Sequence, residues 1–272
     1  MIILGLAIAT SQHHAAALVV DGQVAGAVEE ERLNGVKAYG WAPPGAPGAN
    51  LINTPGLNIS DAVCRKSVSW LLNTHGLTLD DVDAIAVNGI PFRYRGSRAC
   101  VKVGRYVFVP HHLAHAAVVA RISPFTSGNV LTVDGRGEYE TAALFTWDKG
   151  ELERKHEVLA DGGCSFGGAY ETVTRVLGFG PHGQGQTMAL ASFKPGDPEA
   201  FGEAFSVRGW DDVSIDEHAI QRLARGRVGD APSVDTPSAV TLAADIQAAL
   251  QSSLLTLARD GQMRYPAERW LV

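Results

Sequence analysis

The tightest constraint on this chain is the dipeptide Asp21-Gly22, set between the apolar runs Ala15–Val20 and Val24–Val28. Both residue types accept the positive φ that a two-residue hairpin needs, and flanking β-favouring runs make that turn a strand connection. Upstream, Ile2–Ala9 reads as a buried strand, so the chain opens with three strands in succession. A polar, Pro/Gly-rich stretch, Gly40–Gly56, follows as a loop. Ser60 caps a helix running to about His75, with Val63, Val68, Leu71 and Leu72 on its apolar side and Gly76 as its stop. Val82–Val87 and Val107–Val109 read as strands, the second leading into the alanine-rich helix that begins His111-His112-Leu113-Ala114-His115. Asn129–Val133, Thr141–Trp147 and Glu157–Leu159 continue a sheet, Glu171–Leu177 and Ala239–Ala258 are helices, and Arg269–Val272 opens a strand. No internal repeat is visible, and the linker candidate is Arg227–Pro237.

Composition excludes several function classes. With 46% hydrophobic and 19% charged residues over 272 positions, the chain can bury a sizeable core. A net charge of −6 without a Lys/Arg run argues against nucleic acid and anionic membranes as partners. Cys64, Cys100 and Cys164 are odd in number and widely spaced, which suits neither a disulfide framework nor a zinc motif and points to a reducing, cytoplasmic setting. The apolar start lacks a basic leader region, and no run approaches the roughly 20 apolar residues of a membrane span.

Four segments carry candidate chemistry. His111 and His115 are four apart on a helix, which puts their Cβ atoms about 5–6 Å apart on one face, so both could hold one ion. His112 points elsewhere, as an outer contact to the ligands or to substrate. Asp134 stands where the strand through Val133 runs out and is the expected third ligand. Two imidazoles and one carboxylate suit non-haem iron, and zinc or manganese would also accept them. Gly135 and Gly137 let backbone approach a ligand and offer amides to a phosphate or an oxyanion, with Glu138 as a site acid. An ordinary glycine turn is the competing reading. Glu29-Glu30-Glu31-Arg32 with Lys37 is either a solvated turn or an anion-binding edge. The glycine-rich stretch Gly178–Met188 is neither a Walker loop nor a dinucleotide fingerprint, and reads as a binding loop leading into a helix.

In family order, these segments resemble the O-carbamoyltransferases of the antibiotic-tailoring and nodulation-protein-U kind. The matching stretches are Ala16–Gly22, Glu29–Leu33 with Lys37, His111–Ala117, Ser123–Phe125 and Thr132–Glu138, with weaker likeness at Leu177–Phe179 and Met188–Ala191. The resemblance implies an α/β, actin-like ATPase fold (ASKHA, TsaD-like), with mixed sheets flanked by helices. It implies carbamoyl phosphate and ATP as substrates, a carbamoyl-adenylate, and delivery of the carbamoyl group to a hydroxyl of a small molecule such as an antibiotic or sugar. By position, His111, His115 and Asp134 become metal ligands, and Lys37 a contact to the activated carbamoyl group.

The family's acceptor-side histidine aligns on Gln12, with His13 and His14 following, and a family lysine is replaced by Gln186. Residues 1 to about 195 match best, and about 196–272 read as a helical connection. The second half of the fold is therefore expected outside this chain, on a partner polypeptide or a further carboxy-terminal region. A non-catalytic binding or scaffolding relative of the same fold is the alternative.

Overall fold

The computed structural model describes residues 1–8, 13–36, 39, 64–89, 97–137, 139–180, 183–229 and 234–272. The loop Gly40–Gly56, the start of the helix expected from Ser60, Gln12, Lys37 and Glu138 lie outside the described residues. The chain divides into two compact units, residues 1–114 and 115–272. No described helix is long and apolar enough to cross a membrane.

The first unit is built on a six-stranded sheet. Its strands are β1 (Ile2–Ala7), β2 (Ala15–Val20), β3 (Gln23–Glu29), β4 (Ala84–Asn88), β5 (Val101–Val103) and β6 (Tyr106–Val109). Their order is β3-β2-β1-β4-β6-β5, with β1–β2–β3 antiparallel and β4 parallel to β1. The expected hairpin is present, with Asp21 at φ 47° and Gly22 at φ 82°, both in the left-handed region that such a turn requires. The short helix α1 (Glu30–Asn34) follows β3 directly, and α2 (Arg65–Thr74) packs on β2. Leu4, Leu18, Leu71 and Ile85 form the fully buried centre of this unit.

The acidic run resolves into two roles. Glu30 is 3% exposed, and its carboxylate accepts from the backbone N–H of Lys66 (3.1 Å) and of Ser67 (2.8 Å), and from Ser67 Oγ (2.6 Å). It therefore caps the first turn of α2, where free N–H groups and the helix dipole both favour an anion. Glu29 and Arg32 pair beside it at 3.3 Å in solvent.

The helix α3 (His111–Ile122) follows, and the second unit has its own sheet. The strands β7 (Ser127–Gly137), β8 (Glu140–Asp148), β9 (Glu151–Leu159) and β12 (Trp270–Leu271) are ordered β12-β7-β8-β9. β7–β8–β9 run antiparallel and β12 pairs parallel to β7. That is the pattern β3-β2-β1-β4 over again, so the topology does repeat although the residues do not advertise it. The four strands of this second sheet fall within residues 127–271. Helices α4 (Phe166–Val176), α5 (Gln184–Ala191), α6 (Glu217–Val228) and α7 (Pro237–Arg264) complete the unit with the hairpin β10 (Phe205–Gly209) and β11 (Asp212–Ile215). Ser165, Asp216 and Thr236 cap α4, α6 and α7 through their side-chain oxygens. Phe166, Leu144, Leu177, Ile220, Leu242, Ile246 and Leu257 fill the core.

The linker candidate Arg227–Pro237 begins inside α6 and ends at the first residue of α7. Arg227 lies in the last turn of α6, 3.0 Å from the Asp245 carboxylate and 5.1 Å from the Phe201 ring centroid.

Candidate metal centre

Helix α3 starts immediately after Pro110, and its first two turns carry His111, His112 and His115. The division between the units falls one turn into this helix. The helix is continuous, so His111 is placed relative to His115 by helical geometry alone. His111 is 6% exposed, whereas the His115 side chain is 58% exposed. His112 is fully buried, its ring 5.7 Å from that of His111 and inclined at 67°. It turns away from the pair, as its place on the helix requires.

The carboxylate comes from a bulge. β7 and β8 are in register as far as Val133↔Ala142 and rejoin at Gly137↔Glu140, so Asp134, Gly135 and Arg136 leave the ladder. Bulges of this kind turn a side chain out of the strand's alternation and occur next to active sites. One carboxylate oxygen, Asp134 Oδ1, accepts from the N–H of Gly135 at 2.6 Å. The other, Oδ2, stands 3.7 Å from His115 Nε2.

The ligand atoms of His111, His115 and Asp134 all lie within 4.8 Å of one another. Donors about 2.1 Å from an ion and at right angles to each other are about 3 Å apart, so small side-chain rotations would close the set. Two imidazoles and a carboxylate, one donor buried and two open to solvent, fit a divalent transition ion with free coordination positions.

Around this group the backbone is held by hydroxyls that the sequence reading passed over. Thr141 Oγ1 donates to the Asp134 carbonyl at 2.8 Å and accepts from the N–H of Phe166 at 2.9 Å. Ser165 Oγ donates to the Gly135 carbonyl and accepts from the N–H of Gly168 at 2.8 Å. Both residues are buried. Ser165 was findable as a helix cap, since it precedes an apolar helical run. Its bond to a carbonyl 30 residues upstream was not.

The remaining site candidates fall as follows. Gly135 faces open space, but its amide is already engaged by the Asp134 carboxylate, and Gly137 is buried in the ladder. In the first unit, His13 is exposed with φ 58°, and His14 is 3% exposed. His14 donates its backbone N–H to the Tyr39 carbonyl at 2.9 Å, its carbonyl accepts from Glu30 N–H at 2.8 Å, and its ring lies edge-on to that of Tyr39 at 6.3 Å. Gln186 lies in the first turns of α5, whose Thr187 hydroxyl meets that of Thr174 at 2.8 Å.

Residues 96–205 match the family model described as carbamoyltransferase N-terminus. Nodulation protein NolNO of Sinorhizobium fredii (strain NBRC 101917 / NGR234) is 30% identical over 202 residues, covering 70% of this chain and 29% of that protein. The chain thus spans less than a third of that relative's length. Two solved structures share the fold. The activator of the 2-hydroxyisocaproyl-CoA dehydratase from Clostridium difficile with bound ADPNP matches 99% of this chain and 78% of its own, with a TM-score of 0.53. Component A of the (R)-2-hydroxyglutaryl-CoA dehydratase of Acidaminococcus fermentans matches 99% and 81%, with a TM-score of 0.55. At 11% identity each, they establish the architecture alone: mixed α/β of the actin-like ATPase class.

Proposed function

We propose, on the match of residues 96–205 to the carbamoyltransferase N-terminus and the likeness to nodulation protein NolNO, that this chain contributes the metal-holding part of a carbamoyl transfer to a hydroxyl group. The donor is carbamoyl phosphate, activated with ATP as a carbamoyl-adenylate, and the acceptor is a small-molecule alcohol such as an antibiotic or sugar. A partner chain or a further carboxy-terminal region completes the enzyme.

The observation that carries this reading is the convergence of His111, His115 and Asp134, donors from a helix and a bulged strand, to within 4.8 Å of one another. A bound iron, or zinc or manganese in its place, would supply Lewis acidity toward a carbonyl or phosphate oxygen. The chain's own residues do the rest. His111 and His115 present two imidazole donors one helical turn apart, and the half-exposed Asp134 adds a carboxylate. His112 packs against His111, its buried ring 5.7 Å away. Gly135, Gly137 and Glu138 are assigned to the phosphate, Lys37 to the carbamoyl group, and His13 or His14 to the acceptor hydroxyl's proton, which the amide of Gln12 cannot take.

The test combines this chain with carbamoyl phosphate, ATP, ferrous iron and a panel of alcohols, with and without candidate partner chains. Carbamoylated product that disappears in His111→Ala and His115→Ala is expected. Absence of product in every combination removes the transfer reading. The replacement of the family histidine by Gln12 and of its lysine by Gln186 favours a second reading, a non-catalytic binding or scaffold relative. Unchanged metal content in His111→Ala and His115→Ala would select it.

A further inference from the structure

We propose that Thr141 and Ser165 are positioning residues that fix the metal-facing orientation of Asp134, Thr141 by holding the carbonyl of the Asp134–Gly135 peptide and Ser165 by holding the carbonyl of the next one. The inference rests on the metal-site reading above and concerns what holds the ligand in place.

Three successive backbone groups at the bulge are bound. Thr141 Oγ1 takes the Asp134 carbonyl at 2.8 Å, the Asp134 carboxylate takes the Gly135 N–H at 2.6 Å, and Ser165 Oγ takes the Gly135 carbonyl. The Asp134–Gly135 peptide cannot turn over without breaking the Thr141 bond to its carbonyl, and a carboxylate bound to that peptide's own N–H turns with it. With Oδ1 held by Gly135, Oδ2 is left toward His115 Nε2, 3.7 Å away. The β7–β8 register skips from Val133 to Gly137, and these hydroxyls hold the backbone across that skip.

Both hydroxyls are in turn fixed from the start of α4, by the N–H groups of Phe166 and Gly168. The hydroxyls lie 3.5 Å apart, so the helix, the two side chains and the bulge form one connected network. The close approach of the two backbones is a separate mark of the same arrangement. A Cβ at Gly167 would lie 2.5 Å from the Gly135 Cα and 2.7 Å from its N, so only glycine lets the first turn of α4 rest on the bulge. Groups that orient a ligand in this way typically change metal affinity by roughly 10–100-fold when removed.

The experiment titrates cobalt(II) into the folded chain and follows its visible d–d absorption, for wild type, Ser165→Ala, Thr141→Val, Ser165→Thr and Thr141→Ser. Circular dichroism and thermal melting report on folding in parallel. Ser165→Ala and Thr141→Val are expected to weaken cobalt by roughly 10–100-fold with an altered d–d band. The two hydroxyl-retaining variants should keep both affinity and band near wild type, which a merely structural role would not predict. Should Thr141→Val fail to fold, Ser165→Ala and its rescue by threonine decide the matter. Wild-type binding that persists with unchanged affinity and spectrum in the alanine and valine variants overturns this inference and leaves the metal site standing. Failure of the wild type to bind cobalt overturns both.

Discussion

The first hairpin of each unit solves the same problem in two ways. β1–β2 and β7–β8 occupy equivalent places in equivalent sheets, and both connections collect candidate site residues: Gln12, His13 and His14 in one, Asp134, Gly135 and Glu138 in the other. In the first, the carbonyl of His14 is held by a backbone group, the N–H of Glu30 at the start of α1. In the second, the carbonyl of Gly135 is held by a side chain, the Ser165 hydroxyl at the cap of α4. Each clamp comes from the helix that follows the third strand of its sheet. A repeated topology therefore places the same element over the same turn, while the chemistry of the clamp is free to differ. A backbone clamp survives side-chain substitution, and a hydroxyl clamp does not.

The two acids beside these turns sharpen the comparison. Glu30 is buried and structural, whereas Asp134 is 39% exposed and stands beside His115. Replacing Glu30 by alanine leaves two N–H groups and the Ser67 hydroxyl at the start of α2 without their acceptor, and should cost about 3 kcal/mol in chemical denaturation. Replacing Asp134 by alanine should cost less than about 1 kcal/mol, as a partly exposed side chain, while abolishing cobalt binding. If Asp134→Ala destabilises as much as Glu30→Ala, the distinction between a structural acid and a ligand-holding acid fails.

A smaller effect is expected at the far end of the second unit. Asp260 accepts from Arg264 Nε at 2.9 Å and from the backbone N–H of Trp210 at 2.8 Å, and the Arg264 guanidinium above all holds its carboxyl below the usual carboxylate range. A depressed carboxyl contributes stability that is present above its unfolded value and is lost as pH falls through the folded one. Asp260→Asn should thus cost about 1 kcal/mol near neutrality, with part of the gain screened by solvent, and the gap to wild type should close as pH drops below about 4. Denaturant titrations at several pH values read this directly, and a gap that persists undiminished in acid would assign the effect to packing. The first unit holds none of these groups, so its own melting should not register the substitution.

What could be read beforehand divides along the same physical line, local against non-local. Ala15–Val20 is a strand with the bounds its apolar run predicted, and the Asp21-Gly22 turn has the backbone that its residue types demand. The His-x-x-x-His pair falls on a helix, whereas Asp134, expected where its strand runs out, sits in a bulge inside β7, which continues to Gly137. The repeat was not legible, because strand pairing is a property of partners far apart, and β12, which completes the second pattern, is two residues long. Nor was α6, whose last turn reads as a linker until Arg227 meets Asp245, 18 residues on. The hydroxyl clamps belong to the same class. Ser165 advertises a cap by its position, and nothing in its neighbourhood names the Gly135 carbonyl as its acceptor.

The smallest expected effect compares one cysteine from each unit. Cys64, which precedes α2, is fully buried, and burial first, then the nearby Glu30 charge, pushes its thiol up to about 12. Cys164, beside the cap of α4, is half-buried and raised mainly by burial. The thiolate is the reactive form, so at about pH 8 Cys64 has on the order of one ionised molecule in ten thousand and is shielded besides. Alkylation followed by peptide mass spectrometry should label exposed Cys100 first, Cys164 later, and Cys64 only when the first unit opens. Equal labelling of Cys64 and Cys164 would mean that the first unit opens as readily as the second. Glu30→Ala supplies the decisive contrast, because it removes the charge that disfavours the thiolate and loosens the helix that covers it. Both consequences accelerate Cys64 alone, so a variant in which Cys164 accelerates as well would show that Glu30 supports more than the unit it sits in.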